Sequence, residues 1–250
     1  SDKKYLVPFI LITSLFFLWG FARAILDVLN KHFQNALHIS ITQSALIQVT
    51  TYLGYFLMAI PAGIFINKYG YRRGVVFGLL LFGLGAIFFI PGASIGSFSA
   101  FLFCLFVIGC GLVFLETAAN PYVTELGARE TATSRLNLSQ SFNGLGSIFA
   151  TFCIGQFLFN DTQQGGNVVI PYAILGVLVL AIAVVFSRVD LPEIQHQQTT
   201  EDKAKGSNIA KLFANHRMFV FGLFALLSYE VTEISINSYF INFVTGMHWM

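Results

Sequence analysis

The chain has 250 residues, of which 56% are hydrophobic and only 10% charged, with a mean hydropathy of +0.72. Soluble domains carry about 25% charged residues, so this composition excludes a water-soluble fold and indicates an integral membrane protein. A net charge of +2 is too small to suggest nucleic acid as a partner.

A bilayer crossing needs about 20 apolar residues. In chain order, candidate spans fall at 5–29, 44–66, 74–91, 99–122, 137–159, 168–187 and 218–244. The first is too long for a signal-peptide core and lacks a cleavage pattern, so it reads as a retained span. No charged residue separates Arg73 from Glu116. That stretch holds two crossings, with "IPGASIGS" (90–97) as the expected turn between them. Gly78, Gly83 and Gly85 in the third span favour close helix contact. Cys104, Cys110 and Cys153 all lie in apolar runs and are expected to be buried, reduced thiols.

Of the 14 Lys and Arg, all but two fall in loops on one side; Lys31 lies on the other and Arg23 within the first span. The positive-inside rule then places the N-terminus and the 188–217 loop in the cytoplasm. "RVDLPEIQHQQTTEDKAKGSN" (188–208) reads as a flexible linker, and "IAKLFANHR" (209–217) as a short amphipathic helix. The expected organisation is a six-helix transmembrane bundle at 1–187, a cytoplasmic linker at 188–217, and at 218–250 the first helix of a second half. The natural protein is expected to continue beyond Met250.

Charged groups inside spans cost about 2.5–3.5 kcal/mol each at mid-membrane, so they face a cavity or a partner. Arg23 and Asp27 stand four apart on one helix face and can pair. Asp27 is therefore either one end of a structural ion pair or a protonatable carboxylate balanced between desolvation and a neighbouring cation. Glu116 lies in an otherwise apolar run, followed by Asn120 and Pro121. Pro121 cannot donate to the carbonyl of Thr117, and polar backbone at membrane depth is tolerated where it lines a cavity. Glu116 and Asn120 thus read as cavity-lining groups able to bond hydroxyls. Asn137, Gln140 and Asn143 recur along the fifth span, and amides both donate and accept, which suits a hydroxyl-rich ligand or helix–helix bonding. Gln48 in the second span is a weaker candidate of the same kind, and Glu230 and Glu233 in the seventh have no assigned role. There is no phosphate loop, metal-ligand cluster or nucleophile triad, so neither an enzyme nor a cofactor is expected.

The loop "GIFINKYGYRR" (63–73) resembles the cytoplasmic signature of major facilitator transporters, with Gly63, Gly70, Arg72 and Arg73 matching and Asn67 and Lys68 departing. "SLFFLWGFARAILDVL" (14–29), "QSALIQVTTYLGYFLMAIPAGI" (43–64), "LETAANPYVTELG" (115–127) and "RLNLSQSFNGLG" (135–146) are together similar to the fucose–proton symporter family of bacterial sugar permeases. The resemblance implies an all-α membrane fold of two inverted three-helix repeats. It implies a sugar–proton symporter in the bacterial inner membrane that acts as a monomer, with a monosaccharide of the L-fucose, glucose/galactose or N-acetylglucosamine type, protons and membrane lipid as its partners. It assigns proton coupling to Asp27 and Glu116, and sugar contact to Trp19, Arg23, Asp27, Glu116, Asn120, Gln140 and Asn143. Gly63, Gly70, Arg72 and Arg73 become the gating loop. The family's L-fucose carrier has consecutive Asn residues in the first span, where this sequence has Arg23 and Ala24. Sodium coupling, efflux, or a receptor that keeps the fold without transport are the alternatives.

Overall fold

The computed structural model describes residues 3–36, 39–95, 97–159, 169–189, 213 and 216–246; side chains are not described for 3–4, 26–36, 41, 93–95, 154–159, 169–171, 238, 241–242 and 245. The chain divides into two compact units, Ser1–Ile194 and Gln195–Met250. The first holds α1 (Lys3–Ala36), α2 (Ile41–Tyr69), α3 (Tyr71–Ile87), α4 (Phe89–Ile95), α5 (Phe98–Glu125), α6 (Ala132–Phe159) and α7 (Val169–Arg188). The second holds α8 (Arg217–Gly246). No strand occurs among the described residues.

These helices occupy the expected spans, with α3 and α4 together forming the third. One local difference has a physical cause. The anticipated turn at 90–97 is helical as far as Ile95. Pro91 sits in the first turn of α4, where an absent N–H costs nothing, so the Pro-Gly pair does not break the helix. Among the described residues, Tyr5–Ile25, Thr42–Tyr69, Tyr71–Gly92, Phe98–Glu125 and Arg217–Asn237 are long and apolar enough to cross a membrane. α6 carries Asn137, Ser139, Gln140, Ser141 and Asn143 in its first half, and its side chains beyond Cys153 are outside the described residues. The described apolar part of α7, Tyr172–Arg188, is shorter.

Helix ends are set locally. Ser40 and Gln43 form a capping box at the start of α2: the Ser40 hydroxyl accepts from Gln43 N–H at 3.1 Å, and Gln43 Oε1 accepts from Ser40 N–H at 3.0 Å. Gly70 alone joins α2 to α3, at φ 87°, and donates its N–H to the Ile66 carbonyl at 2.8 Å. A side chain there is strained, so the glycine of the loop signature is required by backbone conformation. The expected amphipathic helix at 209–217 and most of the linker lie outside the described residues.

Packing in the first unit has a two-fold pattern. α1 lies along α6, α2 along α5, and α3 contacts both α5 and α7. Exchanging the first three spans for the second three turns the α1–α6 pair into the α5–α2 pair and leaves α3–α7 unchanged, while the α3–α5 contact has no α7–α1 counterpart of like extent among the described residues. This is the arrangement of two inverted three-helix repeats. Helices in lipid gain little from hydrophobic burial against each other and rely on close contact. Here the contacts are made by glycines. A Cβ on Gly20 (α1) would run into the Asn143 backbone of α6, and one on Gly146 (α6) into the Phe17 backbone of α1. In the partner pair, a Cβ on Gly54 (α2) would stand 2.7 Å from the Phe106 carbonyl, and one on Gly109 (α5) would run into the Thr51 carbonyl. On the pseudo-axis, Gly83 of α3 and Gly176 of α7 face each other. Cys104 and Cys110 are buried free thiols of α5; Cys153 differs from expectation in being only half-buried, because it projects from the more exposed outer part of α6.

Two arginines hold the helix ends beside the loops expected to be cytoplasmic. Arg72 donates Nε–H to the Phe186 carbonyl at 3.2 Å and Nη2–H to that of Ser187, at the end of α7. Arg135 donates to the carbonyls of Val123 at 3.1 Å, Thr124 at 2.8 Å and Ala128 at 2.9 Å, and to the Thr131 hydroxyl. The Val123 and Thr124 carbonyls are ones that the end of α5 leaves without helical partners, whereas Ala128 lies in the loop beyond it. Arg135→Ala is expected to cost about 2 kcal/mol and Arg135→Lys nearly as much, since an ammonium cannot span the set. Thermal unfolding, with proteolysis at 126–131 as a local probe, checks it; wild-type resistance in Arg135→Ala would remove the clamp.

α8 is exposed over nearly its whole length in its own unit, with Glu230 and Glu233 half-buried. The hydroxyls of Ser228, Thr232 and Ser235 donate back to the carbonyls of Phe224, Ser228 and Val231.

Candidate substrate cleft

Between α1 and α5 lies a small, partly open cleft with a volume of about 10 Å³, lined by Leu15, Phe16, Trp19, Leu115, Glu116, Ala119 and Asn120. Its lining is mostly apolar and includes one carboxylate and one amide, the mix that small-molecule sites use. α5 runs unbroken through Pro121 to Glu125, so Glu116 and Asn120, four apart, share one face. Gln140 of α6 reaches the Asn120 side chain, Nε2 donating to Oδ1 at 3.5 Å. Trp19 packs edge-on to Phe16, ring centroids 6.2 Å apart, and donates its indole N–H to the Tyr55 hydroxyl of α2 at 3.2 Å.

The expected residues Trp19, Glu116 and Asn120 therefore line one cleft, and Gln140 is joined to it through Asn120. Asn143 is half-buried where α6 crosses α1. Its carbonyl accepts from the Ser147 hydroxyl at 3.3 Å. Asp27 lies on α1, but its side chain is outside the described residues, and so is the anticipated Arg23–Asp27 pairing. Asn137 is exposed, whereas Gln48 is 9% exposed and belongs to the buried face of α2 with Ser44 and Thr51. In the loop signature Arg73 is exposed, and Gly63 has open space around it among the described residues. The face of α2 around it, with Ile60 and Ile64, is not covered.

Tyr55, the hydrogen-bond partner of the Trp19 indole, is the residue that motif reading missed. The signal was present: Tyr52 and Tyr55 stand three apart in an apolar span, and a phenol there needs a polar partner.

The glycine crossings reveal a register. Asp27 follows Gly20 by seven residues, and Glu116 follows Gly109 by seven; Gln140 precedes Gly146 by six, and Gln48 precedes Gly54 by six. Each repeat thus carries an acid and a glutamine at equivalent places. Seven residues rise about 10 Å. Because the repeats are inverted, the backbones of Asp27 and Glu116 lie that far from their crossings in opposite directions.

The family model described as Major Facilitator Superfamily matches residues 12–250. The chain belongs to that superfamily. Within this family of multi-pass membrane transporters, it is 35% identical over 252 residues to the glucose/galactose transporter of Brucella abortus (strain 9-941), covering 98% of this chain and 60% of that one. It is 36% identical over 266 residues to the L-fucose-proton symporter of Escherichia coli K12, covering 97% of this chain and 60% of the relative. A crystal structure of the major facilitator transporter FucP in the outward conformation superposes with TM-score 0.67 at 37% identity, covering 79% of this chain and 53% of that one. The chain thus spans about 60% of the length of the curated relatives it matches. The fold is the major facilitator fold, represented here by its first six-helix bundle and the helix that follows.

Proposed function

We propose that this chain is the N-terminal part of a proton-coupled importer of a monosaccharide. The observation that carries the reading is the α1–α5 cleft, where Trp19, Glu116 and Asn120 converge and Gln140 is joined through Asn120. An aromatic face, two amides and a carboxylate suit a sugar, whose hydroxyls both donate and accept and whose ring has an apolar face. A carboxylate at membrane depth suits a proton, which it holds neutral and releases to water. The names of the similar transporters, for glucose/galactose and for L-fucose with protons, support the same substrate class.

In this reading Asp27 is the main proton carrier, and Glu116 joins protonation to sugar binding. Trp19, Gln140 and Asn143 contact the sugar. The Gly63–Arg73 loop governs cytoplasmic closure, its Arg72 fixed to the end of α7. The carrier acts as a monomer in the bacterial inner membrane, with the N-terminus and the 188–217 loop cytoplasmic. The second half of the cavity comes from sequence beyond this chain, and transport proceeds by one half rocking against the other.

The test is external pH in lightly buffered cells expressing the full-length protein, challenged with L-fucose, glucose, galactose and N-acetylglucosamine. One sugar is expected to alkalinise the medium, and Asp27→Asn to abolish the response. Good expression with no pH change for any sugar would reject proton symport of these sugars, and uptake that follows sodium instead would assign the coupling ion.

A further inference from the structure

We propose that Tyr55 is a positioning residue of the cleft: its hydroxyl fixes the Trp19 indole in the orientation that a ligand meets. Trp19 lines the cleft, and an indole has one hydrogen-bonding group, its N–H. That group is donated to the Tyr55 hydroxyl at 3.2 Å, across the approach of α1 to α2. Phe16 holds the ring at a second place, edge-on with centroids 6.2 Å apart. A tryptophan side chain turns about two bonds, so a bond at its nitrogen and a contact at its ring select one orientation. Tyr55 is itself anchored. Its ring centroid lies 5.7 Å from that of Tyr52, and it packs against the buried cluster of Ala62, Val113 and Phe114, which joins α2 to α5. Tyr55 is not among the residues that line the cleft, so it acts through Trp19 and not by touching a ligand. Both residues belong to the same compact unit, so rocking of that unit as a body leaves the bond intact. A ligand that stacks on a ring already in place loses less freedom than one that must order the ring as it binds. The consequence for sugar affinity rests on the sugar-carrier reading; the Trp19–Tyr55 bond itself does not.

The experiment is ultraviolet resonance Raman spectroscopy of the purified full-length protein without sugar, in which indole ring bands move with hydrogen bonding at the N–H. Trp19 is isolated by subtracting the spectrum of the Trp19→Phe protein. Its band is expected at the hydrogen-bonded position in wild type and at the unbonded position in Tyr55→Phe, which keeps the ring and removes only the oxygen. An unbonded position in wild type, or an unchanged one in Tyr55→Phe, overturns the proposal. The wild-type spectrum alone can refute the bond if Tyr55→Phe does not accumulate. With a transported sugar in hand, Tyr55→Phe is further expected to raise KM about fivefold at near-normal kcat, the size of one hydrogen bond. That split marks lost binding and not lost turnover. In a Trp19→Phe background the same change is expected to leave KM unaltered, because the donor is gone. An equal rise in both backgrounds would make Tyr55 a structural residue that acts without Trp19, and the proposal would fall. Absence of sugar transport would sink the carrier reading while leaving the Raman result standing, so the two fail separately.

Discussion

Glu116→Gln is expected to abolish sugar-driven alkalinisation by the full-length protein while leaving sugar counterflow within about tenfold of wild type. Glutamine keeps the shape and hydrogen-bonding capacity of a neutral carboxyl but cannot exchange a proton. Counterflow swaps one sugar for another without net proton movement, so it needs the cleft and not the titration. Stability should not fall. An ionised group at this depth costs about 2.5–3.5 kcal/mol unless compensated, and the amide removes that cost. Alkalinisation of wild-type size in Glu116→Gln would take the proton away from this residue. Loss of counterflow together with alkalinisation would instead make Glu116 a binding group alone.

The second large effect concerns the helix crossings. Gly146→Ala is expected to destabilise the bundle by about 3 kcal/mol or more, because the added methyl would overlap the Phe17 backbone and sit 3.0 Å from the Phe21 N. Backbone cannot move aside as a side-chain tip can, and α1 and α6 would have to part along their length. The same substitution at Gly92 is expected to be neutral or to stabilise by up to about 1 kcal/mol, since alanine is the better helix former. There the nearest atoms to the new methyl are the Cys104 Sγ at 3.8 Å and the Ala100 Cβ at 4.0 Å, ordinary contact distances. Thermal midpoints of the two full-length variants, read as the monodisperse fraction after heating, compare one chemical change in two surroundings. Equal midpoints would mean that the crossings tolerate more separation than the structure shows.

Much of the site was legible without coordinates. Glu116 stands out because a carboxylate in a charge-free run must have a reason, and Asn120 and Gln140 because amides in lipid need partners. Trp19 had no such signal of its own, since an aromatic in a membrane span is ordinary; only the resemblance singled it out. Tyr55 did carry a signal, a phenol in an apolar span, but its partner was fixed only by the approach of α1 to α2, which puts the Trp19 indole at its hydroxyl. Arg135 read merely as a loop charge, yet it holds four groups around the end of α5. The Pro91-Gly92 pair misled because a turn and the first turn of a helix accept the same residues.

The sequence by itself determined that the chain lives in a membrane, where its spans lie, and which of its polar residues are out of place there. These are local properties: the hydrophobicity of about 20 successive residues and the cost of one charge among them. Which helices touch was decided only by tertiary structure. The register that makes Asp27 the counterpart of Glu116, and Gln48 that of Gln140, depends on Gly20 meeting Asn143 and Gly109 meeting Thr51. Those meetings join residues far apart in the chain, through backbone approach that leaves no periodic trace in either helix. Van der Waals contact between distant small residues selects the partner, and a linear pattern of hydrophobicity carries no information about it.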